Sequence, residues 1–251
     1  MPEVNVGIWG HFSIWVNRHQ PIARLVGLTI GLVVFLVFLP PDMRIAYWEG
    51  LRSHKILASM LLVFSLLAVS LVWTAGQKVD AWAFLAFNLW GPRPLWLDRM
   101  MLGFTQIGSG IAALTIGLVL FLTGNHLFSY KFLLGTLALW LVVELLKFLV
   151  HRSRPFIRLA QTRTIGNRAN GRSFPSGHTS QAFFMATLIA QHFHMSVWVV
   201  LLLYTTAFLV GITRMYVGAH YPRDVLAGAI LGSAWGLLGM MVSGNGMTRI
   251  G

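Results

Sequence analysis

Six residues combine a reactive type with a telling spacing: Lys147, Arg154, His178, Arg214, His220 and Asp224. They fall in three short segments: Lys147-Phe-Leu-Val-His-Arg-Ser-Arg154-Pro155, then Phe174-Pro175-Ser176-Gly177-His178, then Arg214-Met-Tyr-Val-Gly-Ala-His220-Tyr-Pro-Arg-Asp224. Lys147, Arg154 and Arg214 are three cations suited to a dianionic phosphate and to the charge spread over its transition state, and guanidinium adds a bidentate fork that ammonium lacks. Pro175-Ser176-Gly177 reads as the opening of a helix, where free N–H groups and the positive end of the dipole favour an anion. Gly177 lets an oxygen approach closely, and Ser176 adds a hydroxyl.

The two histidines can divide the remaining work. An imidazole attacking phosphorus forms a phosphohistidine and splits one hard displacement into two easier ones. A second imidazole can protonate the leaving oxygen and then activate water. Asp224 lies four residues after His220, about one helical turn, and is placed to orient the His220 ring. That makes His220 the nucleophile candidate and His178 the acid–base candidate.

Each signal has a plainer explanation when taken alone. A lysine near a span end often only snorkels to the interface, a Pro-Ser-Gly turn is often only a cap, and an arginine near a histidine means little. Convergence changes this, and it depends on the elements that carry the segments. A membrane-crossing helix needs about 20 apolar residues. Seven stretches approach that length: 21–39, 56–75, 100–123, 132–150, 179–194, 197–213 and 225–242. The first holds Arg24 and ends at Pro40-Pro41, so it either spans or lies partly in the interface. The fourth stretch ends on the side where the fifth begins, and the sixth returns there, so all three segments reach one membrane face. The expected architecture is all-α, a polytopic helical bundle of six to seven transmembrane helices. Residues 1–78 supply an N-terminal interfacial segment with one or two extra helices, and residues 79–251 supply the catalytic domain. The aromatic-rich 80–99 segment, broken by Gly91-Pro92-Arg93-Pro94, reads as interfacial helix and loop with its aromatics as anchors.

Composition agrees with a membrane setting. Of 251 residues, 56% are hydrophobic and 10% charged, against roughly 25% charged in ordinary soluble domains, and mean hydropathy is +0.70. Such a chain must use lipid as part of its solvent. With no cysteine, disulfides and thiolate metal sites are excluded. Beyond Asp98 only Glu144 and Asp224 are acidic, too few for paired-carboxylate chemistry or an all-oxygen metal cage. Glu144, one turn before Lys147, is a candidate partner for it. Polar residues run to Gln20 and no small-residue cleavage site follows the first apolar run, so no cleaved signal peptide is expected. The net charge of +12 forms neither tail nor stripe, which argues against nucleic acid. Six arginines lie between Arg152 and Arg172, suited to a local anionic ligand or to anionic lipid headgroups.

The three segments together resemble the signature of the type 2 phosphatidic acid phosphatase (PAP2) superfamily: K-x6-R-P, P-S-G-H and S-R-x5-H-x3-D. Lys147 and Arg154-Pro155 match the first part, Pro175 to His178 the second, and Arg214, His220 and Asp224 the third, with Thr213 in place of the usual serine. The resemblance implies a metal-independent, cofactor-free phosphatase that vanadate inhibits. In it the residue matching His220 attacks phosphorus, the one matching His178 protonates the leaving group, and those matching Lys147, Arg154, Ser176, Gly177 and Arg214 bind phosphate.

A membrane setting makes a lipid-linked phosphate the natural substrate. Phosphatidate, phosphatidylglycerophosphate, undecaprenyl diphosphate and lipid A phosphates all fit, and the sequence does not choose among them. A phosphotransferase using the same intermediate is a second reading, and a non-catalytic anion-binding transporter or scaffold a third. The arginines beyond Arg154 suit a diphosphate or anionic headgroups equally. The resemblance implies a bacterial inner membrane protein with an extracytoplasmic site, and Arg44, Arg52, Lys55, Lys131 and Arg249 then mark the cytoplasmic face. Nothing in the sequence bears on oligomeric state.

Overall fold

A computed structural model of the chain describes residues 52–242, apart from 72, 92 and 169, together with Phe38, Ile45 and Glu49. Of the expected span 21–39, only Phe38 is among the described residues. The chain divides into compact units Met1–Ser53 and His54–Gly251, and the three chemical segments all lie in the second. Among the described residues there is no strand, as the all-α expectation requires.

The helices of this second unit are α1 (Lys55–Ser70), α2 (Thr74–Asn88), α3 (Leu95–Gln106), α4 (Gly110–Leu122), α5 (His126–Val150), the single turn α6 (Pro155–Arg158), α7 (Gly177–His192), α8 (Val197–Tyr216) and α9 (Pro222–Val242). Among the described residues, α5, α8 and α9 are each long and apolar enough to cross a bilayer alone. Two bent pairs pass the same test jointly: α1 with α2, bent by 97°, and α3 with α4, bent by 54°. Outward leucines, tryptophans and phenylalanines on α1, α4, α5 and α8 are exposed, which is the expected pattern where lipid rather than water is the neighbour.

Two expectations change. The stretch 100–123 is not one straight helix but breaks between Gln106 and Gly110. Ser109 caps the second half, its Oγ accepting from the Ala112 N–H at 3.2 Å. Gly108 sits in the elbow against the His178 main chain and Val210 Cγ1, and a Cβ there would collide with both. The elbow is thus what lets α3–α4 close on the start of α7. The segment 80–99 is also more than interfacial. Trp82, Trp90 and Trp96 are exposed as anchors should be, but Asp80, Phe84, Asn88 and Asp98 are buried.

At the centre stands α7, only 16 residues long and enclosed by α5, α8 and α9. Its small residues make this possible. Ala182 and Ala186 pack with Ala207 and Val210 of α8, while α9 presents Gly228, Gly232 and Gly236 at four-residue spacing. A Cβ on Gly228 would lie 2.7 Å from the Ser176 carbonyl oxygen, and one on Gly236 would lie 2.7 Å from Thr187 Cβ. Small residues at this period let helix backbones meet in a setting where burial from water drives little. Phe132, Leu139, Val143, Phe174, Phe184, Leu188 and Leu231 fill the core beneath the site.

Candidate active site

Between the end of α8 and the start of α9 the chain reverses around one carbonyl. The N–H groups of Ala219 and His220 both donate to Arg214 O, at 3.0 and 3.2 Å. Gly218, at φ 82°, makes the reversal possible in a region that side chains avoid. This turn projects the buried His220 ring inward. Its Nδ1 lies 2.7 Å from the main-chain carbonyl of Ser173. A carbonyl only accepts, so Nδ1 carries the proton and Nε2 keeps its lone pair. Nε2 in turn lies 3.1 Å from Arg154 Nη1. Burial, reinforced by the cations Arg154 and Arg214 and opposed by Asp224, pushes the His220 pKa down to about 3. The ring is a neutral imidazole.

Asp224, in the first turn of α9, is fully buried. The contact expected from its spacing is longer than a hydrogen bond, with Oδ2 3.7 Å from His220 Nδ1. Asp224 instead accepts from the Ser173 hydroxyl, from the Tyr221 N–H at 2.9 Å and from Arg152 Nη1 at 2.5 Å. Ser173 thus connects the carboxylate to the imidazole, its hydroxyl on one and its carbonyl on the other. It lies outside the sequence pattern, three residues before Ser176, and no spacing rule would have singled it out.

The cations converge. Arg154 is buried and held by the carbonyls of Ala219 at 3.1 Å and Asn170 at 2.9 Å. Arg214, also buried, donates from Nη1 to Thr105 Oγ1 at 2.7 Å, and its Nε has no hydrogen-bond partner among the described residues. An unsatisfied buried guanidinium donor is costly, and an anion bound beside it would satisfy it. Lys147 donates to Glu144 at 2.7 Å, as the one-turn spacing suggested, and its Nζ lies 3.9 Å from where a Cβ on Gly177 would sit. The ammonium therefore stands over the first residue of α7. Ser176 is the N-cap of that helix, its hydroxyl 2.9 Å from Thr179 Oγ1. The first-turn N–H groups of α7 have no partner within the helix. Thr213 turns its hydroxyl back to the Val210 carbonyl at 2.7 Å, away from the site.

His178 and Arg214 line a cavity of about 200 Å³ together with Thr105 and Gln106 of α3, Phe156 of α6, and Asn167 and Arg168 of the 159–176 loop. Among the described residues, no acidic side chain lines it. The tertiary structure thus brings together all eight residues expected from the sequence, distributed over α5, α7, α8, α9 and three loops. Among the described residues, no group of three His, Asp or Glu side chains is placed to hold a metal ion.

The basic loop divides by function. Arg152 pairs with Asp80 and Asp224, and Arg163 with Asp98 at 2.6 Å. The hydrogen bond to Asp98 pushes the Arg163 pKa up. Asp98 also accepts from Tyr216 OH at 2.7 Å, and Asn88 donates to the carbonyls of Arg163, Met215 and Tyr216 at 3.1 Å. These contacts pin the loop over α3 and α8. The sequence signal for them was the rarity of acidic residues: two of the seven, Asp80 and Asp98, fall in a segment read as interfacial.

Known proteins resemble this chain in sequence and fold. The family model described as "PAP2 superfamily" matches residues 128–247. The chain is 30% identical to Phosphatidylglycerophosphatase B of Bacillus subtilis over 193 residues, 69% of this chain and 88% of that protein. It is 29% identical to the Bacitracin transport permease protein BcrC of Bacillus licheniformis over 160 residues, 62% of this chain and 75% of that one. A crystal structure of a transmembrane PAP2 type phosphatidylglycerolphosphate phosphatase from Bacillus subtilis superposes with a TM-score of 0.67 at 26% identity, covering 78% of this chain and 98% of the other.

Proposed function

Since this chain belongs to the PAP2 superfamily, in its membrane lipid-phosphatase branch, we propose that it hydrolyses a lipid phosphomonoester or lipid diphosphate through a phosphohistidine on His220. One observation carries the assignment of the nucleophile: Nδ1 of His220 is committed to the Ser173 carbonyl, so the Nε2 lone pair is the one left to react, and it lies 3.1 Å from Arg154 Nη1. Binding of the phosphate dianion offsets the surrounding cations and lets His178 take up a proton. Nε2 of His220 then attacks phosphorus, the bond from phosphorus to the leaving oxygen breaks, and His178 delivers that proton to the leaving oxygen. His178 then takes a proton from water, whose oxygen attacks the phosphoryl group. The P–N bond breaks, and inorganic phosphate and neutral His220 are restored. Lys147, Arg154 and Arg214 hold the equatorial oxygens with Ser176 and the Gly177 N–H, acting as preorganised positive charge in a site shielded from water.

These cations provide the charge neutralisation that a metal would otherwise supply, and the proposed reaction is metal-independent and cofactor-free. The catalytic unit is residues 79–251, with residues 1–78 as support. The substrate's tail stays in the bilayer while its phosphate enters from the membrane face. Lys55 and Lys131 lie near the helix ends remote from the site. By the positive-inside rule this favours a bacterial inner membrane setting with the site extracytoplasmic.

The test is phosphate release by purified protein in detergent from a panel of lipid phosphates and diphosphates. Vanadate is expected to inhibit, and His220→Ala to remain folded while losing turnover. Normal release by that variant would overturn the mechanism. A requirement for an acceptor lipid would assign phosphotransfer instead. The likeness to a protein named as a transport permease favours testing transport as a second reading, and absence of phosphate release from every substrate would support it.

A further inference from the structure

Asp80 lies outside the three-part pattern and outside the family match, yet it is buried beneath the nucleophile. Its Oδ2 accepts from Arg152 Nη2. Its Oδ1 accepts from the Arg223 N–H at 3.1 Å, and Arg223 Nε lies 3.3 Å from Oδ2. The other arm of the Arg152 guanidinium reaches Asp224 Oδ1 at 2.5 Å, while its plane covers the Tyr221 ring at 4.1 Å. Arg223 is anchored in turn on Ser70 at the end of α1, through its carbonyl at 3.0 Å and its hydroxyl at 2.9 Å. Two carboxylates and two guanidiniums thus form a linked group, Asp224–Arg152–Asp80–Arg223, whose formal charges cancel. It continues through Ser173 to His220.

We propose that Asp80 and Arg152 are positioning residues for His220, and that their charges hold the field beside the phosphate site neutral. The proposal rests on the phosphatase reading above. A buried guanidinium with both arms filled by carboxylates is not available to substrate, so Arg152 serves the nucleophile rather than the headgroup. Its fork fixes Asp224, and Asp224 fixes the Ser173 hydroxyl. The Ser173 carbonyl then holds the proton on Nδ1 and leaves Nε2 to react. In metal sites, replacing the outer partner that orients a ligand costs about 10–100-fold in affinity or activity, and an effect of the same order is expected here.

Charge gives the proposal a signature that mere support of the fold lacks. Asp80→Asn leaves the group with one excess positive charge, and Arg152→Gln leaves one excess negative charge. The double variant is balanced again by Asp224 and Arg223. In Asp80→Asn we expect kcat to fall roughly 10–100-fold with KM unchanged or lower. In Arg152→Gln kcat falls and KM for the anionic lipid rises, and in the double variant KM returns towards wild type. The vanadate inhibition constant follows the same order. If Asp80→Asn yields no folded protein, Asp80→Glu is the second variant, with a smaller kcat loss and unchanged KM. Wild-type kcat in folded Asp80→Asn, or a double variant no closer to wild type in KM than Arg152→Gln, overturns the proposal. If wild-type protein released no phosphate, the phosphatase reading would fail by itself. Vanadate binding, followed by thermal shift across the three variants, would still report whether the charge order holds.

Discussion

The Ser173 carbonyl accepts the Nδ1 proton of His220 across 2.7 Å, and this main-chain contact, rather than a carboxylate, sets the tautomer of the proposed nucleophile. Asp224 acts one step further out, on the Ser173 hydroxyl. The two halves of Ser173 can therefore be separated by mutation. Ser173→Ala deletes the hydroxyl and keeps the carbonyl, so kcat should fall about tenfold, at the low end of such indirect effects. The loss should be far smaller than for His220→Ala. Steady-state phosphate release by both variants gives the comparison, and a Ser173→Ala loss as complete as that of His220→Ala would contradict it.

A buried neutral His220 makes stability depend on pH in a definite direction. Its folded pKa of about 3 lies below the ordinary value of 6.5. Below about 6.5 the unfolded chain takes up a proton that the folded site refuses, so stability is lost as pH falls from there towards 3. Above that range both states are neutral and the contribution is flat. Thermal unfolding in phosphate-free detergent should show a falling midpoint across this acid window, and His220→Gln should make the slope shallower. An unchanged slope in that variant would show that other groups cause it.

Gly228 keeps α9 close to the first turn of α7. Gly228→Ala places a methyl group 2.7 Å from the Ser176 carbonyl, where overpacking typically costs about 1–3 kcal/mol. The displaced helix start should also raise KM, because Ser176 and Gly177 bind the phosphate in the proposed mechanism. Gly103→Ala is the control. It lies within α3 with nothing within 4 Å of the added Cβ, and helix propensity makes it neutral or stabilising by up to about 1 kcal/mol. Melting midpoints of the two variants should move in opposite directions, or only the first should move.

Arg168 lines the cavity beside His178, on the leaving-group side of the proposed reaction, and its guanidinium lies 5.7 Å from the centre of the Phe156 ring. A lipid diphosphate attacked at its terminal phosphorus would place its second phosphate there, whereas a monoester offers no second anion. Arg168→Gln is expected to raise KM for a diphosphate about tenfold, as loss of a hydrogen bond to a charged group does, and to leave a monoester nearly unchanged. Equal shifts for both substrates would assign Arg168 to general attraction of anionic headgroups.

Much of the site was legible in the sequence because its residues lie at fixed spacings beside helix ends. Lys147 to Arg154 crosses the end of α5, Pro175 to His178 opens α7, and Arg214 to Asp224 spans the α8–α9 turn. The number of apolar stretches then determined that all three reach one face, since a helix that crosses lipid has no other way to satisfy its backbone. Composition was equally decisive, because a chain with so little charge cannot cover itself with polar surface. Fold class, membrane setting and the eight candidate site residues follow from these local facts.

Only the tertiary structure decided which partners those residues take. Spacing placed Asp224 beside His220, but the turn around the Arg214 carbonyl rotates the ring towards Ser173 instead. The loop arginines, Arg152 and Arg163 among them, suit an anionic ligand or lipid headgroups equally by sequence, and only the burial of Asp80 and Asp98 against these two assigns them to ion pairs within the protein. These pairings join segments 65 to 72 positions apart. No periodicity encodes such contacts, because they form only when burial removes water as a competing partner for each charge.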